Sequence, residues 1–114
     1  MGYSRAVRVG DHVVVSGTTA AVPGGGAVGG DDIGAQTTEV LARIATALEQ
    51  AGASLRDVVR TRIFVTDISR WSEVAAAHSA VFDTIRPAAS MYQVTGLIAP
   101  ELLVEIEADA IVAG

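Results

Sequence analysis

Residues 103–112 read Leu-Val-Glu-Ile-Glu-Ala-Asp-Ala-Ile-Val, an alternation of apolar and acidic side chains almost without a break. A period of two belongs to a β-strand, whose successive side chains point to opposite sides of a sheet. Val104, Ile106, Ala108 and Ala110 therefore share one face, and Glu105, Glu107 and Asp109 the other. Such a strand commits the chain to a sheet with one apolar face to bury and one acidic face to account for.

Two segments have the spacing of helices that can cover the apolar face. In the first, Ile33, Thr37, Val40, Leu41, Ile44 and Leu48 form a stripe, with Asp31 and Asp32 as N-cap residues and Gly52 as the stop. This predicts a helix over 32–51. In the second, Ser69 is the expected cap and Trp71, Val74, His78, Val81, Phe82 and Ile85 are the stripe, with Trp71 and Phe82 read as core. Pro87 ends it, because a residue before proline is pushed out of the α region.

Further strands are expected near 5–9 and 12–17, joined at Gly10-Asp11, and over 58–66 and 89–96. In 58–66, Val59, Ile63 and Val65 are read on one face and Arg60, Arg62 and Phe64 on the other. Ser54–Asp57 reads as a short capped turn, and Pro23–Gly30 as a flexible surface loop. That loop lacks the GxGxxG or Gly-Lys-Ser/Thr spacing of a phosphate cradle. The order β-β-α-β-α-β-β gives an α+β fold, a mixed sheet with two helices on one face, in a single domain over 1–114.

Composition narrows the chemistry. The 114 residues include no Cys, and all eight basic residues are Arg, so thiolate mechanisms, Cys-based metal sites and Schiff-base lysines are excluded. A formal net charge of −5 with scattered arginines argues against a nucleic-acid partner, since phosphate neutralisation supplies most of that affinity. No apolar stretch approaches a membrane span, and a cytoplasmic setting is expected.

The acidic strand face has two readings. Charges on a half-exposed sheet can simply be solvated. Alternatively the back face, on which Phe64, Met91 and some of the valines are also expected, closes against copies of the same chain, with Glu105 and the arginines near the seams.

Taken together, Gly10–Gly17 (GDHVVVSG), Glu49–Ser69 (EQAGASLRDVVRTRIFVTDIS), the Pro87–Ser90 segment and the closing VEIEADA resemble the Rid (YjgF/RidA, reactive intermediate deaminase) family, from about Tyr3 to Val112. The resemblance implies a chorismate-mutase-like fold assembled as a homotrimer around a central barrel, with small-molecule clefts between subunits. It also implies hydrolysis of reactive enamines and imines to ketones and ammonia, without cofactor or metal. Residue by residue, it makes Tyr3, Ser16 and Gly17 substrate-binding, the Gly17 amide contacting a ligand carboxylate. Glu105 becomes the catalytic carboxylate that positions water.

One match fails. The family's P-A-R-S motif, whose arginine grips the substrate carboxylate, reads Pro87-Ala88-Ala89-Ser90 here. A desolvated carboxylate normally needs such a bidentate guanidinium, worth roughly 1.5–3 kcal/mol. The pocket around Ala88, Ala89 and Met91 is accordingly expected to be larger and more apolar, and activity on 2-iminobutanoate-like acids weak. An asparagine frequent in the family's second helix is replaced by Ala75. Arg62 could restore the clamp from its strand, or could pair with Glu105 or Glu107 across the sheet. Arg86 stands three residues before the missing arginine.

His78, on the apolar stripe, is either a general base or a packed, hydrogen-bonded histidine. His12 is expected to be exposed. Glu105 and Glu107, about 7 Å apart on one strand face, suit water activation and structural pairing equally. Three functions follow: a cofactor-independent hydrolase, a trimeric binding protein without chemistry, and an endoribonuclease, against which the acidic charge argues.

Overall fold

A computed structural model describes residues 1–113. Its elements are β1 (Ala6–Val9), β2 (His12–Thr18), α1 (Ile33–Gln50), β3 (Val58–Val65), α2 (Trp71–Phe82), β4 (Ala88–Gln93) and β5 (Val104–Ile111), with 3-10 turns at Leu55–Asp57 and Ile68–Arg70. The five strands form one sheet in the order β1-β2-β5-β3-β4. All neighbours are antiparallel except β3 and β4, whose parallel pairing requires a crossover, and α2 supplies it. This is the expected α+β architecture.

The alternating strand sits in the middle of the sheet. Val104, Ile106, Ala108 and Ala110 are buried with Val13, Val15, Ile63 and Val65 beneath the helices, against Val40, Leu41, Ile44, Leu48, Val74 and Phe82. Asp32 caps α1 by accepting from the Ala35 amide at 3.0 Å. Gly52, at φ 80°, provides the left-handed residue that stops it.

Four local expectations need correction. The face of β3 is read one residue out at its start, because a bulge between Val58 and Arg60 turns Val59 outward (43% exposed) and puts Val58 in the core. Ser69 does not cap α2; the Asp67 carboxylate accepts from the Ser69 amide and hydroxyl, capping the preceding 3-10 turn. Trp71, 57% exposed, begins α2 outside the core, whereas Phe82 is buried as expected. Met91 lies opposite Ile63 and packs on the core, so it belongs to the helix side and not to the acidic face.

The glycine-rich loop is pinned. Gly24, Gly25 and Gly26 have φ of 91°, 118° and 84°, conformations that L side chains avoid. They form a tight turn closed by an Ala21–Ala27 bridge, with the Gly26 amide donating to Glu101 at 3.1 Å. Fully buried Gln36 ties this loop to β5 by donating to the carbonyls of Gly30 (2.7 Å) and Glu101 (2.9 Å) and accepting from the Leu103 amide (3.0 Å).

Candidate active site

A bulge in β2 builds the first half of the site. The β2–β5 register runs Val15↔Ala108 and then Thr18↔Ile106, so Ser16-Gly17 contains one residue too many for a regular ladder. Such a bulge re-aims its residues and makes room beside the partner strand. The Glu105 carboxylate fills that room: a Cβ on Gly17 would lie 2.6 Å from Glu105 Oε2 and 2.9 Å from Cδ. Gly17 is therefore required by close approach and not by its backbone angle. Gly17→Ala should leave the melting temperature nearly unchanged, since only the flexible end of Glu105 must move.

Around this carboxylate the β1 end is drawn in. Arg5 donates to the Gly17 carbonyl (3.3 Å), to Thr18 Oγ1 (3.2 Å) and to the Tyr3 phenol (3.5 Å), and its guanidinium lies 5.9 Å from the Tyr3 ring centre. Ser16 Oγ donates to the Ser4 carbonyl at 2.6 Å. Arg5 thus links Tyr3 to Gly17, and Gly17 adjoins Glu105. Sequence reasoning does not single out Arg5; its spacing of two from Tyr3 is the only hint. Opposite Glu105 on β3 stands Phe64, stacked on Tyr92 of β4 with ring centres 6.0 Å apart.

Burial pushes the Glu105 carboxyl above its ordinary 4.5, and the Glu107 charge pushes it further, while Arg5 works in the opposite direction. A raised carboxyl in reach of an arginine is suited to exchanging a proton with water.

The second half lies on the other side of the sheet. A cavity of about 380 Å³ opens between α2 and β4, lined by Ile63, Ala75, His78, Ser79, Phe82, Asp83, Arg86, Pro87, Ala89, Ser90 and Met91. Ala75 and Ala89 both line it. Ala88, opposite Arg60, takes the other face in register. His78 bonds Thr61 Oγ1 through Nε2 at 2.9 Å and packs on Phe82 with ring centres 4.7 Å apart. Burial holds its pKa below the ordinary 6.5, so it is neutral at pH 7. His12 is exposed at the start of β2.

Arg62 lines a cleft with Ser16, Glu107 and Asp109. It lies on the acidic face, 3.6 Å from Glu107 and 3.8 Å from Asp109. Its partners are thus Glu107 and Asp109, and Glu105 is not among them.

A family model described as endoribonuclease L-PSP matches residues 1–112. The crystal structure of Rv2704 from Mycobacterium tuberculosis, a member of the YjgF/YER057c/UK114 family, is 63% identical with a TM-score of 0.89, covering 97% of this chain and 87% of that one. The chain belongs to the Rid (YjgF/RidA) family. The E. coli YjgF gene product superimposes on this Rid chain with a TM-score of 0.85 at 30% identity, over 96% of this chain and 87% of its own. The 2-iminobutanoate/2-iminopropanoate deaminase of Salmonella typhimurium is 33% identical over 112 residues, 96% of this chain and 86% of the relative. Among the described residues, no helix of the Rid chain is long and apolar enough to cross a membrane.

Proposed function

We propose that this Rid protein is a cofactor-independent hydrolase of a reactive enamine or imine, working as a homotrimer in clefts shared by neighbouring subunits. The observation that carries the reading is the Glu105 carboxylate seated on Gly17 with its pKa raised, beside the β2 bulge whose Gly17 carbonyl Arg5 holds. In the reaction, water adds to the C=N carbon as Glu105 accepts its proton. That proton passes to the nitrogen, giving a carbinolamine. Glu105 then moves the hydroxyl proton to the amine as the C=O bond forms and the C–N bond breaks, and ketone and ammonia leave. An enamine first takes a proton from water at its β-carbon and loses its N–H proton to become the imine. Tyr3, Ser16 and the Gly17 amide orient the substrate beside Glu105.

The sheet supports the shared cleft. Glu105 and the α2 cavity lie on opposite faces, so one chain cannot present both to a single small molecule. A second copy can, and the acidic face also exposes Val14 and Tyr92 (42% and 52%), apolar surface that a neighbour would cover. The compartment that goes with this reading is the cytoplasm.

Without an arginine at 89, the substrate is larger or more apolar than a short 2-imino acid. The test is ammonia release from freshly generated 2-aminoacrylate and from longer enamines. We expect faster turnover of the longer ones; no release above the uncatalysed rate from any of them contradicts the hydrolase. A trimeric binding protein is the second reading, favoured by one observation: alanines at 75 and 89 strip the same cavity wall of both polar family side chains.

A further inference from the structure

Arg86 is the only non-glycine residue with positive φ, at 56°, among the described residues. Its amide closes the end of α2 by donating to the Phe82 carbonyl at 2.8 Å, a left-handed cap where glycine is the inexpensive choice. It also precedes Pro87, which adds its own restriction. An arginine at such a position needs a reason beyond ending a helix.

Its surroundings supply one. Five of the eight arginines, Arg5, Arg8, Arg43, Arg62 and Arg70, are engaged in side-chain hydrogen bonds or ion pairs. Arg56, Arg60 and Arg86 have no such partner among the described residues, and of these three Arg86 alone lines the α2 cavity. Asp83 lines the same cavity, and among the described residues it makes no ion pair with Arg86. The remaining wall is apolar (Ile63, Ala75, Phe82, Ala89 and Met91), with neutral His78 tied to Thr61.

We infer that Arg86 is a specificity residue that binds the carboxylate of an organic acid whose apolar body fills the space left by Ala75 and Ala89. Three residues along the chain reach at most about 10 Å. Arg86 thus lies close enough to position 89 to serve the same cavity, and the apolar space left by Ala75 and Ala89 favours acids bulkier than short 2-imino acids. A cavity of about 380 Å³ is within the size range of small-ligand pockets. The inference rests on the cleft reading only in that this cavity forms one wall of the cleft.

Binding separates the two. Phenylacetate and its neutral isostere phenylacetamide, titrated calorimetrically into the wild-type protein, should differ in affinity by more than tenfold in favour of the acid, the size expected of a charge-assisted pair. Arg86→Gly should erase that difference while its melting temperature holds or rises, because glycine relieves the left-handed residue. Arg86→Lys should keep part of the preference. The inference is overturned if the wild type binds phenylacetate no better than phenylacetamide, or if it binds neither at millimolar concentration. It is equally overturned if Arg86→Gly binds the acid as well as the wild type, a drop in melting temperature shared with Asp83→Asn then marking a structural pair. Arg86-dependent phenylacetate binding in a protein that releases no ammonia would sink the hydrolase and leave this inference standing.

Discussion

Glu105→Ala should lower the rate of ammonia release from a good enamine substrate by a factor on the order of 10²–10⁴, the usual contribution of a positioned acid or base. The loss should fall on kcat with little change in KM, because the carboxylate acts on water and the substrate is held by other groups. Glu105→Gln should be as inactive and yet more stable than the wild type at neutral pH. The folded state holds the Glu105 proton more tightly than the unfolded one, since burial and Glu107 raise its pKa above 4.5. The stability linked to the protonated form is therefore complete below about 4.5 and is lost as pH rises through the folded value. Glutamine mimics the protonated side chain and keeps that stability. Melting curves across this range should diverge as pH rises, the variant lying above the wild type near pH 7. Parallel curves would mean that Glu105 titrates as it does in an unfolded chain.

Ala89→Arg should do the reverse for activity. Placing a guanidinium on the wall now formed by Ala75, Ala89 and Met91 should raise kcat/KM for short 2-imino acids by more than tenfold, given roughly 1.5–3 kcal/mol for a charge-assisted pair. The same side chain occupies the space on which bulkier substrates depend, so kcat/KM for those should fall. A competition assay with one short and one bulky substrate reads both changes at once. An unchanged ratio would show that position 89 does not face the substrate.

The layout of the fold was legible because β5 and α1 carry strong periodic patterns and clear stops: the Glu105 face, the Leu41 stripe and Gly52 all stand as read. The differences have separate physical causes. Alternation puts Val59 in the core, but a bulge shifts the period of two by one residue, and nothing in Val58-Val59-Arg60 announces it. Periodicity puts Trp71 in the core, although α2 begins there and the first turn of a helix can hang beyond the sheet it covers. The face of Met91 depends on pairing with β3, which only the three-dimensional register reveals.

The site was legible in part. Family motifs point to Tyr3, Ser16, Gly17 and Glu105; the structure puts Gly17 against Glu105 and ties Tyr3 to Gly17 through Arg5. The motifs do not reveal why Gly17 is a glycine, the part played by Arg5, or that Ala75 and Ala89 share one cavity on the far side of the sheet. Of the two arginines considered for the clamp, Arg62 pairs with Glu107 and Asp109, whereas Arg86 lines that cavity with no ion-pair partner among the described residues. These relations depend on distances between segments far apart in sequence.

The central claim is that Glu105 of one subunit works with the α2 cavity of its neighbour, and subunit mixing tests it. Glu105→Ala lacks the carboxylate, and Ala89→Trp fills the cavity; each alone should form an inactive trimer. In trimers assembled from equal amounts of both, each site combines one part from each of two subunits. A site is intact when its carboxylate comes from the Ala89→Trp chain and its cavity from the Glu105→Ala chain, which random assembly gives for about one site in four. Ammonia release near a quarter of the wild-type rate is the predicted result. Mixed trimers as inactive as either parent would contradict the shared cleft.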